Sequence, residues 1–213
     1  MTGRTLDGVI EALVADARPV TPLASPARRA STTFALIALA GAVAILSSDL
    51  RGLVERHAGR EMWLALQMAA IFATGVAALA GAFFASIPGR SPAWSAAPIP
   101  FFVTWLVLAT ADCLQRGAEG LPTEDCTKCL IFITGTSALL AGPVAWRLSR
   151  AAPLDAVRVS LLAGLGIGAL SAFLLHFFHP FDVTLVDLGV HVGAIMLVTG
   201  AMGVAGSRAL RRA

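Results

Sequence analysis

Six long apolar stretches, at residues 31–48, 62–86, 97–114, 128–149, 154–178 and 184–206, leave this 213-residue chain few folds to choose from. A helix needs roughly 20 apolar residues to cross the ~30 Å hydrocarbon core, and lipid offers no partner for an exposed backbone N–H or C=O. Each stretch is therefore expected to form a transmembrane helix. A hydrophobic content of 57%, a charged content of 14% and a mean hydropathy of +0.78 agree, and exclude an ordinary soluble domain. The net charge of +3 could suit nucleic acid. However, the arginines flank apolar runs rather than forming one block, so topology accounts for them and direct nucleic-acid binding is not expected. The first apolar run follows about thirty mixed residues and no small-residue cleavage site succeeds it, so a removable signal peptide is not expected either.

Basic residues are retained on the cytoplasmic side of a membrane, which gives the orientation. Of the 16 Lys and Arg, only Arg51, Arg56, Arg60, Arg116 and Lys128 lie in segments on the side away from the N-terminus. Both termini are thus expected in the cytoplasm, and loops 49–61, 115–127 and 179–183 outside. The expected fold is all-α: an integral membrane bundle of six transmembrane helices, residues 30–213, preceded by a cytoplasmic arm, residues 1–29. Gly164 and Gly168 in the fifth span, and Gly189 and Gly193 in the sixth, are spaced to let helix backbones approach closely. Packing within the chain is the first expectation from them, and a homodimer the second.

In the arm, Leu6, Val9, Ile10, Leu13 and Val14 recur at helical spacing, so residues 4–17 are expected to form a short amphipathic helix. Such a helix is marginal in water and must bury its apolar face. Membrane-surface helices carry basic polar faces and aromatic anchors, whereas this one has more acids than bases and no aromatic residue. A protein groove is the better target. Pro19, Pro22 and Pro26 form an extended connector that would hold the helix away from the bilayer.

The chain resembles the NrsF family of bacterial membrane anti-sigma factors over nearly its whole length. The resemblance rests on the arm "LDGVIEALVADARPVTPL", on "SIPGRSPAW" between the second and third spans, on "CLIFI" opening the fourth, and on "HPFD" after the fifth. It implies an inner-membrane protein whose cytoplasmic part holds an extracytoplasmic-function sigma factor inactive, and whose outward cysteines help to sense metals or oxidants. The family tends to place a second cysteine just ahead of the proline after the fifth span, and here that position is His179.

The candidate sensing residues centre on "CTKC", in which Cys126 and Cys129 open the fourth span on the oxidising side. As a redox pair they would gain thiolate character from the helix N-terminus and Lys128, opposed by Glu124 and Asp125. As a metal clamp, Cys126, Cys129, His176 and His179 supply four ligands suited to tetrahedral zinc or another soft divalent ion, although no cofactor is required. As plain structure, the cysteines would be small buried hydrophobes. Cys113, ending the third span, is a third candidate sulfur. Asp187 and His191, four apart in the sixth span, are expected to hold the bundle by an interhelical hydrogen bond. Asp155 and Arg158 are expected to form a structural pair. A membrane thiol oxidoreductase is the alternative function, but such an enzyme usually relays electrons through a second cysteine pair, and only Cys113 remains. A small transporter would need a polar path that Asp112, Asp187 and His191 do not lay out in the sequence.

Overall fold

The computed structural model describes residues 5–17, 22–56, 58–116, 123–178 and 184–212, and these are helical with short connections. The arm helix α1 spans Leu6–Ala15, and the Thr5 hydroxyl caps it by accepting from the Gly8 N–H. Six helices are long and apolar enough to cross a membrane, so the chain is built as a membrane protein. They are α2 (Pro26–Leu46), α4 (Glu61–Ala85), α6 (Pro98–Arg116, led in by the short α5, Ala93–Ala96), α7 (Thr123–Ser149), α8 (Ala156–Leu175) and α9 (Leu185–Ala201). A single π turn, Met202–Gly206, carries α9 on into α10 (Ser207–Arg212).

The helix ends depart from the apolar stretches because capping residues, not hydropathy, set them. Ser25 caps α2 by accepting from the Arg28 N–H at 3.3 Å, and Pro26 follows at the first helical position, where its missing N–H costs nothing. Pro26 therefore belongs to the first span rather than to the connector, while Pro19 lies outside the described residues. The loop expected at 49–61 contains a further helix, α3 (Leu50–Arg56).

Helix α8 forms the centre, with 67% of its span buried against 17% for α2, and it packs on α4, α7 and α9. Glycine makes the α4–α8 crossing close. A Cβ on Gly166 would lie 2.7 Å from Leu79 Cγ and 3.1 Å from the Gly75 carbonyl oxygen. On its other side α8 meets the α9 end of the chain at Gly164, where a Cβ would lie 2.8 Å from Thr199 Cα. Gly168 is also tight, 3.3 Å from Ile195 Cα. The packing expected of Gly189 and Gly193 does not occur among the described residues, since a Cβ at either would meet none of them within 4 Å. The sixth span is approached through the glycines of α8 instead.

On the face that carries the arm, "SIPGRSPAW" is a pinned turn. Gly89 takes a positive φ of 78°, Trp94 stacks on Phe84 with ring centroids 4.0 Å apart, and the Arg158 guanidinium donates to Ser95 Oγ and the Pro92 carbonyl. The Asp155–Arg158 relation is accordingly a helix cap: the Asp155 carboxylate accepts from the Arg158 backbone N–H at 3.0 Å. On the same face Arg29 of α2 donates to the Arg147 carbonyl at 2.6 Å and to Ser86 Oγ, and lies over the Phe83 ring. Arg147 in turn donates to the hydroxyls of Thr32 and Thr33. The buried residues of α2, Pro26, Arg29, Ala30 and Thr33, all fall in its first turns.

Candidate functional site

Two places draw chemistry, one at each end of the bundle. At the arm end, α1 buries none of its residues. Leu6, Ile10, Leu13 and Val14 are each half or more exposed, and Val9 is 38% exposed, so among the described residues the arm presents an uncovered apolar face. An amphipathic helix of this kind reaches its stable state by lying in a groove of something else.

At the opposite end the expected thiols occupy different environments. Because α7 begins at Thr123, Cys126 falls in its first turn and is half-buried, whereas Cys129, one turn further in, is buried. Cys129 shares a buried cluster with Cys113, Trp105, Ile133, Leu188 and Ile195. None of the three cysteines forms a disulfide in this state. Beside them Arg60, at the start of α4, pairs with Asp112 of α6 and ties those helix ends together.

His176 caps the end of α8, where its Nδ1–H donates to the Ala172 carbonyl at 2.9 Å. Among the described residues no group of three ligand side chains includes His176, and His179 lies outside those residues. The cluster that forms among the described residues is Cys129 with Asp187 and His191, whose ligand atoms all lie within 4.8 Å of one another. All three are buried, at 3%, 0% and 3% exposure. Asp187 stands in the first turn of α9, capped by Thr184, and His191 one turn later, with Nε2 3.6 Å from Asp187 Oδ2. The helical pair was visible in the sequence, but its meeting with Cys129 was not, because α7 and α9 are not consecutive. In the sequence, an ionisable pair within a span is the signal that could have found it.

These features define a class: a polytopic helical membrane protein, with an exposed apolar helix at one end and a buried cluster of thiol, carboxylate and imidazole at the other. The family model described as "Negative regulator of sigma F", NrsF, matches residues 13–211, and the chain belongs to that family. No curated protein and no solved structure matches the chain.

Proposed function

We propose that this negative regulator is an inner-membrane anti-sigma factor with both termini in the cytoplasm, that its partner is an extracytoplasmic-function sigma factor, and that α1 holds that partner. The observation that carries this reading is the uncovered apolar face of Leu6, Val9, Ile10, Leu13 and Val14 on an arm that buries nothing in the bundle. The distribution of arginines supports the orientation, with most of them on the arm side. Periplasmic oxidants or soft metals act at Cys126 and Cys129, and release follows because the two states of the bundle differ in affinity for the sigma factor. A coupling of about 1–3 kcal/mol changes that affinity roughly 5- to 150-fold. Burial of Cys129 counts against a dithiol enzyme, whose cysteines must both reach a protein substrate, and leaves half-buried Cys126 as the thiol an oxidant meets first.

The test is affinity purification from detergent-solubilised membranes, comparing the full chain with one lacking residues 1–18. A sigma factor that co-purifies only with the full chain supports the reading, and recovery with both versions moves the docking surface elsewhere. For the input, replacing Cys126 and Cys129 by Ala should abolish stress-induced release while leaving sequestration intact. Unchanged release would remove the cysteines from the mechanism.

A further inference from the structure

We propose that Cys129, Asp187 and His191 form a buried binding site for one zinc-class divalent cation, joining α7 to α9. The ligand set differs from the Cys126, Cys129, His176 and His179 combination that the sequence spacing suggests, and it crosses between helices that are far apart in the chain. Thiolate sulfur, imidazole nitrogen and carboxylate oxygen are the three donor types that Zn²⁺ takes from proteins. Metal–ligand bonds of about 2.0–2.3 Å place tetrahedral donor atoms roughly 3.3–3.6 Å apart. The His191–Asp187 separation is already 3.6 Å, and Cys129 Sγ lies within 4.8 Å of both partners, so rotamer-scale movement closes the site.

Charge selects the ion. The site lies among Trp105, Ile133, Leu188 and Ile195, where a net charge is costly. One thiolate and one carboxylate cancel a divalent cation, and neutral imidazole adds nothing, so the loaded site is neutral. On binding, the thiol proton leaves to solvent and Cys129 Sγ, His191 and Asp187 each donate a lone pair to the metal; no electron is transferred. Three donors including sulfur suit Zn²⁺ or Cd²⁺ and do not suit Mg²⁺ or Ca²⁺, which need six or more oxygens. Cys126 stands one turn nearer the helix start and is half-buried. The site stands on geometry, and only its role as the regulator's input rests on the anti-sigma reading.

The experiment titrates Co²⁺, as a spectroscopic stand-in for Zn²⁺, into the purified full-length chain in detergent. The expected result is one ion per chain with thiolate-to-cobalt charge-transfer absorption, displaced by Zn²⁺ or Cd²⁺ and not by Mg²⁺. The chain has three cysteines, so in a Cys113→Ser, Cys126→Ser variant the sulfur band can come only from Cys129, and it should persist with all three ligands intact. Adding Asp187→Asn or His191→Gln to that variant should weaken binding by more than about a hundredfold, beyond the usual effect of losing a supporting residue. Loss of the band in the variant that keeps the ligands, or unchanged affinity in the Asp187 and His191 variants, would overturn the proposal. Sigma-factor capture is measured separately on metal-free protein, so failure there with cobalt binding intact counts against the regulatory reading and not against the site.

Discussion

A methyl group added at Gly166 would place a Cβ 2.7 Å from Leu79 Cγ and 2.9 Å from the Leu79 backbone nitrogen, whereas one added at Gly189 meets nothing within 4 Å. Gly166→Ala should therefore destabilise the chain by about 1–3 kcal/mol, since a backbone atom cannot turn aside as a side chain does. Gly189→Ala should be neutral or stabilising by up to about 1 kcal/mol, the helix-propensity gain over glycine. Thermal unfolding of both variants in one detergent checks the pair, and equal midpoints would show that the α4–α8 crossing is looser than described. Sequence spacing pointed to four glycines and could not rank them. The i, i+4 rule finds a small-residue stripe but does not say which neighbour it faces, and Gly75 and Gly166, which meet across the crossing, carry no such spacing with each other. The same limit applied at Cys129. Its partner pair Asp187 and His191 was legible along one helix, while the contact between helices needed three dimensions.

Among the elements, α1 is where sequence and structure agree most directly, because a short amphipathic helix depends only on local order. Truncating Ile10 or Leu13 to Ala should each remove about 1–2 kcal/mol of sigma-factor binding. That is roughly a five- to thirtyfold loss per residue. The thermal midpoint should not move, because neither side chain is buried in the bundle. Calorimetric titration alongside unfolding separates the two effects, and a falling midpoint would place α1 against the membrane domain. Elsewhere hydropathy located every spanning helix but misjudged the ends. It cannot register Ser25 as a cap, Arg29 as a helical residue with polar partners, or the short α3 within a polar loop.

Across the whole molecule, the number of spans was legible because a bilayer imposes length and apolarity on each one separately. The central place of α8 was not, since it depends on which helices are neighbours. Orientation remains a matter of charge, and it makes a prediction of its own. In a Cys113→Ser, Cys129→Ser background, a membrane-impermeant maleimide should label Cys126 in intact cells. A cysteine placed at Thr5 should stay unlabelled until the cells are opened. The reverse pattern would invert the topology and move the candidate cation site to the reducing side.

The polar bonds of α2 among the described residues that cross to other helices, through Arg29, Arg147, Thr32 and Thr33, lie in its first turns, while its outer half leans over a cleft of about 700 Å³ lined by Ile37, Ile45, Phe72, Leu140 and Phe173. In a bilayer, a cleft with so apolar a lining suits acyl tails rather than water. Mechanically, α2 is a beam held most firmly at the end that bears the arm, where all its buried residues lie. Bilayer thickness acts on its slope, because a spanning helix stands more upright as the membrane around it thickens. A change in bilayer thickness would therefore bear on the arm through α2, at the end of the bundle away from the cysteines.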